Sequence, residues 1–288
     1  EIPALNYLFK RVKNKKRADI EFEIELEDKS TRWVLGSMNQ SKTTGEFILV
    51  VHDITQLRQL NSMRRDFISN LSHELRTPVS VIRANSETLL DGALDNKQDA
   101  RTFAKAILHN SERLSSMVSN LIDLSRIEYG DLKLNITSVN LNEFINDFLV
   151  SMKSVTKKKD IEINYLSNHK NLIKADVQAL ERVMNNLIDN AFKYSEKGSC
   201  IEISTLQSKN HIKIMVADSG IGVPDEDKEH IFDRFYRTAS ARASENKGSG
   251  LGLAIVKNLI NSLNGEVGVN SKRPKGSVFW FTLPLSED

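Results

Sequence analysis

The stretch Phe67-Ile68-Ser69-Asn70-Leu71-Ser72-His73-Glu74-Leu75-Arg76-Thr77-Pro78-Val79-Ser80-Val81-Ile82 places apolar residues at Phe67, Leu71, Leu75 and Ile82. That recurrence has the period of about 3.6 residues of an amphipathic helix. At ~100° per residue, His73 lies ~200° from both Leu71 and Leu75, so its imidazole is set toward water and not into the core. An exposed imidazole offers a ring-nitrogen lone pair for attack or for metal binding, and no partner ligands are spaced around His73 for a metal. Glu74 is placed to accept from one ring N–H, which fixes the tautomer and makes the other nitrogen more nucleophilic. Thr77 follows one turn later on the same face. Pro78 has no N–H for the carbonyl of Glu74, which predicts a bend just past the reactive turn.

Outward from this turn the helical period extends from Ile54 to about Asp91, through Leu57, Leu60 and Met63. A turn over Gly92–Asp99 leads to a second long helix marked by Phe103, Ile107, Leu114, Val118, Leu121 and Leu124. The spacing 107, 114, 121 is that of a coiled coil. Two long helices on a short loop form an antiparallel hairpin, whose uncovered apolar seam predicts pairing of two copies into a four-helix bundle and therefore a homodimer.

On the N-terminal side the chain alternates strictly, with Ile20, Phe22, Ile24 and Leu26 on one face and Glu21, Glu23, Glu25 and Glu27 on the other. This is the signature of a half-buried strand. Thr31–Met38 and Gly45–His52 read as two more, giving a small antiparallel sheet behind a short N-terminal helix. So thin a core is expected to be the back half of a larger domain.

Beyond an expected boundary at Gly130 the pattern is mixed. It predicts a strand near Leu132–Ile136, a helix from Leu141 to about Thr156, strands at Ile161–Leu166 and Leu172–Ala175, and a helix at Val177–Tyr194. There follow a hairpin of Cys200–Leu206 with His211–Asp218, a short helix ending near Phe235, a helix at Leu251–Asn264, and closing strands near Glu266–Asn270 and Ser277–Leu283. The interleaving implies a two-layer α/β sandwich.

Four elements of this half suit a nucleotide. Asn186 and Asn190 lie four apart on one helix face, where amide carbonyls can hold a hydrated Mg²⁺ that also binds phosphate oxygens; Lys193 extends beyond them as a point charge. Asp218-Ser219-Gly220-Ile221-Gly222 ends a strand, so that its carboxylate can accept the exocyclic amino group of adenine while Gly220 and Gly222 let the backbone approach the base. Gly248-Ser249-Gly250-Leu251-Gly252-Leu253 opens a helix whose first N–H groups suit phosphate. Neither the dinucleotide fingerprint nor the P-loop pattern is present. Between the glycine motifs, Phe232 and Phe235 are as suited to packing as to the site, Arg237 can reach a terminal phosphate, and Thr238–Lys247 has the composition of a mobile lid.

Composition excludes several alternatives. The 40 basic and 38 acidic residues of this 288-residue chain leave a net charge of +2, which gives nucleic-acid binding no electrostatic support. The single cysteine, Cys200, rules out an internal disulfide or a Cys-rich metal site and suits a reducing cytoplasm. No run of 18 or more apolar residues occurs. Because the chain starts at Glu1 without methionine, it is expected to be part of something larger, with any membrane attachment through a segment it lacks.

Taken in order, the motifs resemble those of the sensor histidine kinases of two-component signalling over about residues 56 to 288. Ser72–Pro78 is similar to the H box, Asn186–Tyr194 to the N box, Asp218–Gly222 to the G1 box, Ile231–Arg237 to the F box and Gly248–Leu253 to the G2 box. The resemblance implies a dimeric phosphotransfer hairpin over 56–130 and an ATP-binding α/β domain over 131–288. It implies that the γ-phosphate of ATP passes to His73 and then to an aspartate of a response regulator. By the same resemblance Glu74 activates His73, Asn190 and Asn186 hold Mg²⁺, Lys193, Tyr194 and Arg237 contact phosphates, Asp218 reads adenine, and Thr77 positions a water that dephosphorylates the regulator. The strands ending in His52-Asp53-Ile54-Thr55 resemble the C-terminal part of a PAS sensor domain, over 1–55. The whole implies the cytoplasmic portion of a membrane-anchored bacterial sensor. An ATPase of the same superfamily without a phosphorylated histidine is the competing enzyme class, and the hairpin bearing His73 argues against it; a switch whose main output is phosphatase activity is the other.

Overall fold

The computed structural model describes residues 3–15, 17–26, 28–41, 44–128, 131–166, 172–243, 248–272 and 275–286. The boundary expected at Gly130 lies outside them. The chain divides into two compact units, Glu1–Ser72 and His73–Asp288.

In the first unit, α1 (Pro3–Lys15) is followed by β1 (Arg17–Glu25), β2 (Thr31–Gln40) and β3 (Phe47–Asp53), an antiparallel sheet in the order β1-β2-β3. The alternation read from Ile20 onward starts three residues earlier, because Ala18 already points inward. Leu8 and Val12 of α1 bury fully against Ala18 and Met38. The alternation of β3 buries much less than expected: Leu49 and Val51, like Ile48 and Val50 opposite, stay exposed. Helix α2 (Thr55–Leu90) springs directly from this sheet. Trp33 accepts from the Ile54 N–H at 2.8 Å and donates its own N–H to Thr55 Oγ1 at 2.9 Å. Arg58 lies 4.2 Å over the Trp33 ring and pairs with Glu21.

In the second unit α2 continues through Pro78, which is buried inside the helix. Gly92 turns the chain with φ 121°, and α3 runs Lys97–Glu128. The turn expected to last to Asp99 is shorter because Asn96 Oδ1 accepts from the Gln98 N–H at 2.9 Å and so starts the helix early. Ile107, Leu114 and Leu121 are half-buried, whereas Met117 and Leu124 are almost fully covered. Leu108, Val118 and Ile122 remain exposed.

The rest comprises β4 (Thr137–Asn140), α4 (Leu141–Lys159), β5 (Glu162–Leu166), β6 (Leu172–Ala175), α5 (Val177–Tyr194), β7 (Cys200–Gln207), β8 (His211–Ala217), α6 (Ala239–Ala243), α7 (Gly252–Ser262), β9 (Val267–Ser271) and β10 (Ser277–Pro284). A five-stranded sheet, β5-β7-β8-β10-β9, is parallel only between β5 and β7, and β4 pairs with β6 in a second small sheet. Ile201, Ile203, Ile212, Ile214, Val216, Phe279 and Phe281 line its inner face beneath α4, α5 and α7. α3 packs on α7.

Two expectations fail locally. The strand read at 132–136 lies instead at Thr137–Asn140; 131–136 has no ladder, and Leu132 and Leu134 use their alternation to pack on the core as a strap. Asp176 holds that strap by accepting from the Asn135 N–H at 2.7 Å while capping α5 through the Ala179 N–H at 2.9 Å. The short helix before Phe235 is a single 3₁₀ turn, Asp225–Asp227, followed by turns.

Candidate active site

Helix α5 builds one wall. Ala179, Leu180, Val183, Met184, Leu187, Ile188, Ala191 and Phe192 are buried at intervals of three and four, which leaves Asn186, Asn190 and Lys193 on the opposite face. The Asn186 side-chain amide donates to the Arg182 carbonyl at 2.8 Å. Its Oδ1 is therefore turned to Gly252, so close that a Cβ there would lie 2.7 Å from it. Lys193 pairs with Asp189 one turn back.

The floor is Asp218, 4% exposed at the end of β8. Its Oδ1 accepts from the Gly220 N–H at 2.8 Å and the Ser277 N–H at 3.2 Å. Burial pushes its carboxyl above the usual range, against the pull of those two N–H groups and of Lys272. A buried carboxylate with one oxygen satisfied by backbone is suited to accepting from a ligand. Gly220 has no room for a side chain, since a Cβ would lie 2.7 Å from the Tyr194 carbonyl. Gly222 takes φ +79° over Gly276.

The third wall is where two segments cross. Phe235, itself at φ 61°, donates its N–H to the Gly250 carbonyl at 2.9 Å, and Gly250 takes φ 71°. Arg237 extends beyond this crossing and donates to the Ala241 carbonyl.

Together these walls enclose a pocket. Asn190, Lys193, Tyr194, Asp218, Gly222, Arg237, Gly248, Gly250, Gly252 and Leu253 all line it. Phe232 and Leu251 are buried in the core beneath it, and Gly220 supports it from behind. Asn186 lines a neighbouring cavity that shares Asn190, Lys193, Gly248 and Ser249. Of the segment read as a lid, 244–247 lie outside the described residues; 239–243 form α6. The sequence reading missed Tyr236, Val223 and Phe279, which also line the pocket. Apolar residues beside a glycine turn were the available signal for Val223 alone.

On the hairpin, His73 is exposed and its ring has no partner among the described residues. Thr77 is exposed, and its hydroxyl donates to the His73 carbonyl at 3.3 Å. Glu74 departs from expectation. Its Oε2 accepts from Arg113 of α3 at 3.0 Å, and among the described residues no hydrogen bond joins it to the imidazole.

Residues 63–130 match the profile of the "His Kinase A (phospho-acceptor) domain", and residues 175–287 that of the "Histidine kinase-, DNA gyrase B-, and HSP90-like ATPase". The chain belongs to the histidine kinases. It is 37% identical over 237 residues to the sensor-like histidine kinase SenX3 of Mycobacterium tuberculosis, covering 82% of this chain and 58% of that one. It is 34% identical over 244 residues to the sensor histidine kinase WalK of Bacillus subtilis, covering 84% and 40%. The chain thus spans well under two thirds of these relatives. Among solved structures, full-length ShkA in complex with AMPPNP superposes with a TM-score of 0.56 at 26% identity, over 77% of this histidine kinase and 46% of that protein. Among the described residues no helix is long and apolar enough to cross a membrane, and no three His, Cys, Asp or Glu side chains cluster to hold a metal. Oxygen donors for a divalent cation are nevertheless present as the amides of Asn186 and Asn190, which suit Mg²⁺ that keeps waters and binds phosphate.

Proposed function

We propose that this histidine kinase transfers the terminal phosphoryl group of ATP to a ring nitrogen of His73 and then to an aspartate of a response regulator. The observation that carries this reading is the exposed imidazole of His73, without a hydrogen-bond partner among the described residues, in the same chain as a pocket floored by a buried carboxylate. The His73 lone pair forms the P–N bond as the bond between the γ-phosphorus and the β–γ bridging oxygen breaks, ADP leaves, and the proton on the other ring nitrogen passes to Glu74. Asp218 accepts from the adenine amino group through Oδ2, while Tyr194, Lys193 and Arg237 contact the phosphates. Asn190 and Asn186 would hold Mg²⁺, which would neutralise phosphate charge when bound. Thr77, one turn from His73 on the exposed face, supports a second activity in which it positions a water against the phosphorylated regulator.

The reading extends to architecture. Residues 56–130 serve as the phosphotransfer hairpin and 131–288 as the ATP-binding domain. The exposed Leu108, Val118 and Ile122 support a homodimer through a four-helix bundle; a monomer in sedimentation at micromolar concentration would overturn that part. The alternating β1 and the junction of β3 with α2 support a PAS-like sensor segment over 1–55. By resemblance, the whole is the cytoplasmic part of a membrane-anchored sensor.

Incubation with γ-labelled Mg·ATP tests the chemistry. The label should be lost in acid, survive base and map to the peptide that contains His73; acid-stable label would overturn the reading.

Asp218→Asn separates affinity from stability. Asparagine keeps an oxygen for Gly220 and Ser277 but removes the buried charge. Below the ordinary aspartate range the carboxyl is protonated both folded and unfolded, so its burial costs little; as pH rises from the ordinary value to the elevated folded one, only the unfolded state ionises freely, and the folded state loses stability until that higher value is passed. The nucleotide-free variant should therefore melt above wild type at pH 7, with the gap closing toward pH 4. ATP should bind roughly 10- to 100-fold more weakly, the worth of one charged hydrogen bond. Thermal melts and titration calorimetry check both.

A further inference from the structure

Helix α3 turns different faces to the nucleotide half and to solvent, and their order around its axis bears on which histidine each pocket serves. Arg113, Met117 and Asn120 form one wall of a cavity of about 470 Å³ whose other wall includes Asn186, Asn190 and Ser249, residues of the two motifs that frame the phosphate end of the pocket. Further along, Asp123 pairs with Arg182 of α5, Leu124 is buried and Ile127 packs on the α/β core. At ~100° per residue all of these side chains lie within about 80° of Arg113. The exposed Leu108, Val118 and Ile122, the apolar residues left for a second copy, lie at ~140° to ~220° from it, so the two faces are centred on nearly opposite sides of the helix.

The other helix of the same hairpin stands between them. The half-buried seam of Ile107, Leu114 and Leu121 lies at ~80° to ~120° from Arg113, and Glu74 of α2 meets Arg113 itself at 3.0 Å. That contact sets His73 of the same chain level with the cavity and on the flank next to it. The connection to the nucleotide half is short: Ile127 and Leu132 both pack on the α/β core, and the Asp131 and Leu132 N–H groups are tied back to the Arg126 carbonyl at 2.9 and 3.1 Å. Carrying the phosphate end to the face left for a second copy takes it roughly half a turn around α3, which breaks the Asp123 pair with Arg182 and uncovers Leu124. Reaching the histidine of the same chain needs only a shift past Arg113.

We propose that the transfer is made within one chain: each pocket serves the His73 of its own hairpin, also when two copies are paired. The proposal rests on the kinase reading above and adds to it the identity of the acceptor. The bonds made and broken are those of the transfer already described.

Two mixed dimers, each purified through a different tag on either chain and incubated with γ-labelled Mg·ATP, test this. The first joins wild type to a His73→Gln, Asn190→Ala double variant. Transfer within a chain should label it to about half the level of the wild-type dimer, all on the wild-type chain, because one of its two units is intact. Transfer between chains would leave it unlabelled. The second joins His73→Gln to Asn190→Ala, with the Asn190→Ala dimer as blank; it should stay at the blank. Label on the Asn190→Ala chain of the second dimer, or none on the wild-type chain of the first, overturns the proposal. The first dimer keeps one unaltered chain, so its signal does not depend on how the variant folds. If the chains do not pair, a labelling rate per chain that is independent of protein concentration supports the proposal, and one that rises with concentration overturns it. Absence of acid-labile label in wild type itself is a different outcome, since it removes the kinase reading and the proposal with it.

Discussion

His73→Gln is expected to lower labelling from γ-labelled Mg·ATP by more than about 10³-fold, because removal of a nucleophile that forms the covalent intermediate leaves no alternative route. Everything else should stay in place. The His73 side chain is exposed and makes no hydrogen bond or ion pair among the described residues, and surface substitutions of that kind shift stability by about 0.5 kcal/mol or less. Glutamine is also a good helix former. ATP affinity, melting temperature and oligomeric state should therefore match wild type within error. Label persisting on the variant would place the acceptor elsewhere, and loss of ATP binding would show that the hairpin and the nucleotide pocket are not separable.

Gly250→Val should have the largest effect on the nucleotide site. Its φ of 71° is strained for any side chain, and a Cβ would lie 2.7 Å from both Cα and the carbonyl carbon of Phe235. A β-branched residue in that conformation costs about 1–3 kcal/mol before the clash is counted. Backbone cannot yield as a flexible side chain can, so 235–237 must move and take Tyr236 and Arg237 out of the pocket wall. ATP affinity should fall about 100-fold or more, with a smaller drop in melting temperature because the crossing lies at the pocket rim. Gly248→Val is the control, since a Cβ there meets nothing within 4 Å; its affinity should stay within about two-fold. Equal losses in both would mean that glycine is needed throughout the motif for approach to phosphate and not for the Phe235 crossing.

These two glycines show how far the motif could be read. Both belong to Gly248-Ser249-Gly250, and nothing in the spacing distinguishes them; the difference arises from a segment more than ten residues earlier that passes under one of them. Phe232 and Leu251 show the same limit. They stand inside the motifs but face the core, because the segment that carries them must also anchor itself. Glu74 is the sharpest case: adjacency to His73 suggested a hydrogen bond between them, and a cation 39 residues away holds the carboxylate instead. The alternating Leu132-x-Leu134 was legible as extended chain, but whether extended chain pairs in a sheet depends on who accepts its N–H groups, and here the Arg126 carbonyl takes those of Asp131 and Leu132 while Asp176 takes that of Asn135.

Local pattern by itself determined the helical hairpin, the outward face of His73, the strands and helices of the α/β half and the order of its motifs. These depend on periodicity and spacing, which a chain carries whatever its surroundings. Tertiary structure decided the rest: the partner of Glu74, the covering of Met117 and Leu124, the burial that raises the Asp218 carboxyl, and the cavity that Arg113 shares with Asn186 and Asn190. Each depends on groups far apart in sequence meeting where water is excluded, and no local period records which groups those are.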